Sequence, residues 1–453
     1  MYGDNTEASR GRDRLSDTDR STKNTVHTLY VCYFGLREPL VQTQVLPYLR
    51  QLVSGGFQVS LLTFEPGLRQ NWTAQEIAEQ RRALTSEGIG WKCLPYHKWP
   101  SLPATLYDVA QGIRKIIQLM GQENVTVLHA RNHIPALMSA LAKKVKGGQL
   151  IFDIRGFMPE EYTDAGVWPQ GGYLYRGLKK VERHLLSVSD AFVVLTEKAR
   201  DIVFPGSVDR DVLGRPLEVI PCCVDFQRFE AVERISREAL REELGLTGRR
   251  VIIYVGSFGG WYMTDKMTEF LAVAHRQDPS TFAMILTQSP HRMVEDRMRE
   301  LGMDAKDFLV AKVTPEEVPR YLRAADIAIS FIKPCYSKQS SSPTKIAEYL
   351  ASGLPLVCNV GVGDLDKFIP ENRVGVLLRE FSPKAYLKAL DRVDTLRADE
   401  KFADHVRQVA RREFDLAVVG RTRYRRLYQR LLDSAESVPV RTAAAQAIPS
   451  NVD

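Results

Sequence analysis

Apolar residues run unbroken through short segments of this chain and recur every three or four positions in the segments between them. TLYVCYFG is an apolar run ended by Gly35 and predicts a buried strand, whereas LVQTQVLPYLRQLVSGG has helical spacing and stops at Gly55 and Gly56. FQVSLLTFE, VTVLHA, QLIFDIRG and DAFVVLT predict further strands, each separated from the next by a helical pattern. Strands alternating with helices imply a parallel sheet covered on both faces. The pattern restarts near residue 250 with RRVIIYVGSFGG, helical TDKMTEFLAVAHRQ and strand-like TFAMILTQ. LLSVSDAFVVLT and LRAADIAISFI look like one unit used twice: a helix end, an aspartate, then a strand.

Two doubly wound α/β domains facing each other are therefore expected, and 453 residues exceed what one core usually organises. The division reads as a polar leader over 1–25, a first domain over 26–225 and a second over 226–410. A long basic helix over 411–435 returns to the first domain, and a tail covers 436–453. The join falls in EVIPCCVDFQRFE, around Pro221. Ligands of such sheets bind beyond the carboxyl ends of the strands, so the cleft between the domains is the expected site.

Composition narrows the picture only a little. The chain is 44% hydrophobic and 26% charged, as an ordinary globular protein is, and no apolar run approaches the roughly 20 residues that span a bilayer. Its first residues lack the apolar centre of a signal peptide. Six cysteines without a CxxC pair or a histidine cluster suggest neither disulfides nor zinc, and a reducing cytoplasm fits. The net charge of +7 suits an anionic partner, a nucleotide diphosphate or a membrane face, or simply solubility. No basic patch interleaved with aromatics points to nucleic acid.

The chemistry concentrates in SKQSSSPTKIAEYLASGLPLV. Ser342 is placed to cap a helix with Pro343 at its first position, and Gly353 and Pro355 close it. Ile346, Ala347 and Leu350 form its buried face, while Lys345 and Glu348, three apart, share another. A lysine in the first turn opposes the helix dipole by about 0.3–1 kcal/mol unless an anion offsets it. With the serine hydroxyls and loop N–H groups beside it, Lys345 describes a phosphate site, and Glu348 is placed for a ribose. The plainer reading is a surface Lys–Glu pair. In FDIRGFMPEEY, Asp153 and Arg155 share one face of a strand end, as a salt bridge or as groups for a phosphate or sugar hydroxyl. Glu160 and Glu161 follow, and His129 and His133 bracket Arg131 in another strand-end loop. Asp364 and Asp366 have the spacing of a metal-holding pair but read as loop residues. GGYLYRGLKKVERHLL sets Tyr173, Leu174 and Leu178 beside Arg176, Lys179, Lys180 and Arg183, as a peripheral membrane anchor or a solvated face over a buried stripe would.

VTPEEVPRYLRAADIAISFI followed by SSPTKIAEYLASGLPLV resembles the nucleotide-binding half of the family-four glycosyltransferases, and VGSFGGWY and IPCCVDFQRF resemble that family's first donor-domain turn and linker. The resemblance implies a GT-B fold of two Rossmann-like domains. It also implies retaining transfer of a sugar from a nucleoside diphosphate sugar to an acceptor hydroxyl, in surface polysaccharide or glycoconjugate synthesis. It assigns the diphosphate to Lys345 and the ribose to Glu348. Gly256, Ser257, Gly259 and Lys266, with Ser340, Ser341, Ser342 and Thr344, complete the donor side. Lys345, Arg155 and Asp153 are the catalytic candidates, and His129, Arg131, Glu160 and Glu161 the acceptor-side ones. No cofactor or metal is required. The acceptor is a glycan or lipid-linked, and contact with the inner face of the membrane is a possible accompaniment. This sequence departs from the family pattern at Ser340, where a glutamate is usual, at Arg155, where a histidine is, and at Val41, where a glycine is. These departures keep two other readings open, a GT-B nucleotide-sugar epimerase and a non-catalytic nucleotide-sugar-binding subunit.

Overall fold

The computed structural model describes residues 26–436. The first sheet contains β1 (His27–Cys32), β2 (Gln58–Pro66), β3 (Ile89–Tyr96), β4 (Val127–Arg131), β5 (Gln149–Ile154), β6 (Ala191–Val194) and β7 (Leu217–Val219). All are parallel, in the order β3-β2-β1-β4-β5-β6-β7. The second holds β8 (Arg250–Val255), β9 (Thr281–Leu286), β10 (Phe308–Ala311), β11 (Ile327–Ser330), β12 (Leu356–Asn359) and β13 (Gly375–Leu378), also parallel, in the order β10-β9-β8-β11-β12-β13. The order reverses direction beside β1 in one sheet and beside β8 in the other, which is where such sheets open a crevice for ligands.

Each sheet buries both faces. In the first, Leu29, Val31, Leu62 and Phe64 lie under the helices Ser101–Gln122, His133–Lys146 and Tyr173–Val188. Tyr30, Cys32, Val59 and Leu61 lie under Leu46–Ser54 and the final helix Arg421–Glu436, which contributes Tyr424, Leu427, Tyr428 and Leu431. Burying each such side chain is worth about 1.5–3 kcal/mol, so the last helix is a structural part of the first domain.

The long basic helix expected near the C-terminus is two helices. Phe402–Phe414 buries Phe402, Val406, Val409 and Ala410 in the second domain, so residues 411–414 belong there. The chain then crosses at Asp415, whose carboxylate accepts the N–H groups of Ala417 and Val418 (2.7 and 3.2 Å) and starts the turn Leu416–Gly420. The two crossings run side by side: Val224 N–H donates to the Phe414 carbonyl (2.9 Å) and Leu416 N–H to the Val224 carbonyl (3.0 Å). At the hinge the two crossings are thus joined by an isolated parallel bridge between Val224 and Asp415.

Around the cleft the domains touch at several points. Phe157 N–H donates to Ser340 Oγ (3.2 Å), Ser337 N–H to Asp164 Oδ2 (2.8 Å) and Thr196 Oγ1 to the Gln339 carbonyl (2.9 Å). Asp364 reaches across to accept N–H groups from Glu197 and Lys198 (2.8 and 3.1 Å), and Asp366 pairs with Lys198 Nζ (2.9 Å). Both aspartates, read from the sequence as loop residues, are thus engaged in the contact between the domains. Asp364 accepts the first N–H groups of the helix Glu197–Val203 in the opposite domain, and Asp366 holds that helix by its Lys198 side chain.

Candidate active site

The serine-rich segment ends in the helix Thr344–Ala351, every residue of which from Lys345 onward is buried. Its N-cap is Pro343 rather than Ser342. Ser342 Oγ instead accepts the N–H of Cys222 in the hinge (3.1 Å), which draws the residue away from the helix start. Ser341 N–H is also committed, to the Lys338 carbonyl (3.2 Å). The N–H groups of Thr344 and Lys345 have no acceptor among the described residues. The helix start therefore keeps its donors where an anion would meet them.

Lys345 Nζ donates to Tyr254 Oη (3.0 Å) and lies 3.8 Å from the ring centre of Tyr262 and 4.4 Å from that of Tyr254. Gly256 closes the other side with φ +142°, and a Cβ there would stand 2.5 Å from Nζ. The backbone conformation of this turn therefore requires glycine, and any Cβ would also push the ammonium aside. No carboxylate of the described residues pairs with Lys345. Burial pulls its pKa down to about 7, against weaker opposing effects of Cys358 and Glu348. Glu348 is buried too, its pKa raised by burial against the pull of Arg228, whose guanidinium is 3.6 Å away, and of Lys345. The surface Lys–Glu pair is thus excluded: both groups are buried, and Glu348 pairs with Arg228.

The other donor-side candidates separate. Gly256, Ser257 and Gly259 form the turn after β8 beside Lys345, but Gly256 N–H is held by the Leu286 carbonyl (2.9 Å) and Gly259 N–H by Thr264 Oγ1 (2.9 Å). The turn offers close approach more than donors. Lys266 pairs with Glu269 on its own helix (3.0 Å). Ser340 Oγ donates to the Ser337 carbonyl (2.7 Å) and accepts Phe157 N–H, so its hydroxyl is used in domain contact.

On the first-domain side, Asp153, Arg155, His129 and Arg131 come together, but inside the domain. Asp153 is fully buried, with Arg155 at 3.4 Å, His129 at 3.5 Å and Arg131 at 4.0 Å. Burial works against its charge, yet these neighbours hold its carboxyl well below the usual range. His129 Nδ1 hydrogen-bonds to Tyr428 Oη (2.9 Å), and burial lowers its pKa against the pull of Asp153. Arg155 turns toward the hinge, 3.8 Å from Cys222 Sγ. The assignments of Asp153 as catalytic and of His129 and Arg131 as acceptor-side are corrected accordingly. The final helix covers that face of the sheet, and these groups brace β4, β5 and the helix against one another. Glu160 is likewise buried, bound by Tyr175 Oη (3.2 Å) and Lys179 (3.1 Å). Glu161 alone of the acceptor-side candidates faces the second domain, paired with Lys338 (3.0 Å), whose ammonium sits 4.0 Å above the Trp261 ring.

Tyr254, Tyr262, Arg228 and Lys338 were not foreseen. The GGWY turn and the lysine seven residues before Lys345 carried the only signals for Tyr262 and Lys338, and Tyr254 lies within the apolar run of β8. Arg228 sits in the linker and reaches Glu348 only through the fold.

Against known proteins, residues 41–228 match the family model described as Glycosyltransferase Family 4, and residues 236–413 match that of Glycosyl transferases group 1. Spore coat protein SA of Bacillus subtilis is 24% identical over 188 residues, which cover 39% of this chain and 47% of that protein. The match thus spans about half the length of this curated relative. Sucrose-phosphate synthase of Thermosynechococcus elongatus superposes with a TM-score of 0.67 at 14% identity, over 90% of this chain and 100% of the other. Anabaena HepE, solved in complex with UDP and glucose, superposes with a TM-score of 0.60 at 12% identity, over 91% of this chain and 100% of the other. These superpositions establish the fold as GT-B, and with one family model matching each domain the chain belongs to the family-four glycosyltransferases.

Proposed function

We propose that the protein transfers a sugar, with retention, from a nucleoside diphosphate sugar to an acceptor hydroxyl. The observation that carries this is Lys345: a buried ammonium walled by Tyr254, Tyr262 and Gly256, at a helix start whose N–H groups, like the lysine, have no acceptor or carboxylate partner among the described residues beyond Tyr254. Such a group is stabilised by an anion, which the described residues do not supply. A diphosphate fits, and Glu348, one turn along the same helix, is in reach of a ribose bound with it. Negative charge grows on the diphosphate as the glycosidic bond breaks, so preorganised positive charge there lowers the barrier. UDP bound to HepE supports a uridine nucleotide as the first donor to try. The acceptor is a glycan or a lipid-linked glycan of a surface polysaccharide or glycoconjugate, and the work is done in the cytoplasm.

Kinetics on folded variants test the assignment. Lys345→Ala is expected to lower kcat by about 10²–10³, whereas Glu348→Ala mainly raises the donor KM, because ribose is bound alike in ground and transition states. A Lys345→Ala protein that turns over at the wild-type rate under saturating donor removes the reading. Ser340 in place of a carboxylate favours one rival, a subunit that binds the donor without turning it over. Acceptor-dependent release of nucleoside diphosphate excludes it, and interconversion of donors without acceptor would identify an epimerase instead.

A further inference from the structure

All strands of the first sheet are parallel, and the helices on its outer face return against them. The N-termini of Ser101–Gln122 and Tyr173–Val188, with His133–Lys146 packed between these two helices, therefore lie at the carboxyl edge of the sheet, where the cleft opens. That edge is unusually apolar. Trp99 is 82% exposed, Leu102 54%, Leu106 60% and Tyr107 54%, and across the middle helix Tyr173 is 94% exposed beside exposed Leu174 and Val167. Tyr162, on the short helix Met158–Asp164 after β5, is stacked on Trp168 at 4.2 Å.

The charges left unpaired around these side chains have one sign, because the nearby acids Glu160, Glu161, Asp164 and Glu182 are held by Lys179, Lys338, Ser337 N–H and His133. Lys98, Arg114, Arg176 and Lys180 are exposed and have no carboxylate partner among the described residues. The one acid between residues 97 and 118 is Asp108, buried and bound by His97 and Tyr33, and none occurs between 165 and 181. Tryptophan, tyrosine and leucine fringed by unpaired lysine and arginine match the interfacial zone of an anionic bilayer: rings at headgroup depth, ammonium and guanidinium groups on the phosphates. A protein partner of mixed charge gains nothing from so one-sided a rim. The helix foreseen as an anchor behaves differently beyond its first turn. Val181 and Leu185 pack in the core, Leu178 is only half-buried, and Lys179 is tied to Glu160 and Glu182.

We propose that this rim, from Lys98–Tyr107 to Val167–Lys180, docks the protein on an anionic lipid surface, the aliphatic and aromatic side chains entering the interface. The loop after β5 has Val167 and Trp168 on the rim while Glu161 and Asp164 touch Lys338 and Ser337 across the cleft. The docked face thus adjoins the cleft mouth. Resting on the glycosyltransferase reading above, this makes the acceptor a lipid-borne one.

Co-sedimentation of the full chain with vesicles of phosphatidylglycerol and phosphatidylcholine tests it, with UDP-glucose binding measured on the same samples. Wild-type protein is expected to sediment at about 0.1 M salt, far less at about 1 M, and weakly with phosphatidylcholine alone. The exposed double variant Trp99→Ser with Leu106→Ser is expected to lose at least about tenfold in vesicle affinity while melting and binding nucleotide as wild type does. No sedimentation at low salt, or equal sedimentation of the variant, overturns the proposal. So does a concentration-dependent dimer that the same substitutions abolish, since it gives the face to a second copy of the chain. Vesicle binding without nucleotide binding strikes the donor assignment and leaves the docking face standing.

Discussion

Lys345 and Asp153 are both charged side chains out of water, and they differ in what surrounds them. Asp153 has two guanidiniums and a histidine; Lys345 has two rings, a phenol oxygen and a glycine. The first is a closed arrangement and the second awaits a counter-charge, which gives Lys345 a pH signature. Its pKa of about 7 is depressed below the unfolded value of about 10.4. Across that window the unfolded chain binds more protons, so this group's contribution to stability is full above the unfolded value and is lost as pH falls through 7. Ligand affinity runs the other way, because the diphosphate needs the ammonium. With UDP-glucose, whose diphosphate is ionised throughout, the dissociation constant is expected to rise toward about tenfold per pH unit above 7. Lys345→Arg keeps its charge, so affinity in that variant is expected to be flat over the same range. Calorimetric titrations at several pH values check this, and a wild-type profile as flat as the variant's rejects a proton-linked Lys345.

At the scale of elements, the legible parts were those with local signals. The apolar runs of β1, β2, β4, β5, β6 and β8 and the helix carrying Lys345 and Glu348 follow from spacing alone. β3 was not read from its sequence, because IGWKCLPY has neither a continuous apolar run nor clean alternation. The break at Asp415 inside a helical pattern was invisible because Leu416 and Val419 keep apolar spacing through it. The ends of strands were misjudged for a general reason. Spacing showed that Asp153 and Arg155 share a face, but whether that face meets the cleft or a helix depended on Tyr424 and Tyr428, some 270 residues later. The same network predicts a stability effect. Asp153→Asn leaves Arg131 and Arg155 buried without their carboxylate, and the expected loss is about 3–5 kcal/mol. Denaturant unfolding followed at the first domain measures it; a loss below about 1 kcal/mol would show that the two guanidiniums find other partners.

At the scale of the molecule, donor site and domain contact share one loop. Lys338 offers its ammonium to Glu161 of the other domain, and its carbonyl accepts both Ser341 N–H and Gly363 N–H (2.8 Å). Gly363 sits against that loop so closely, at φ +47°, that a Cβ would lie 2.1 Å from the Ser341 carbonyl oxygen. The next residue is Asp364, the cap of the opposing helix. A displacement of the serine loop is therefore expected to reach the Asp364 contact through Gly363. Hydrogen bonds to an ionised group contribute about 1.5–3 kcal/mol each, and about 1.4 kcal/mol shifts an open–closed equilibrium tenfold. Asp364→Ala removes two such bonds while leaving Lys345, Glu348 and their surroundings in place. In solution scattering without ligand, the variant is expected to have the larger radius of gyration. UDP-glucose is expected to return it toward the wild-type value, with weaker apparent affinity because closure now draws on binding free energy. Superimposable scattering of variant and wild type, with and without UDP-glucose, would mean that Asp364 does not hold the closed form and that the hinge pair alone sets it.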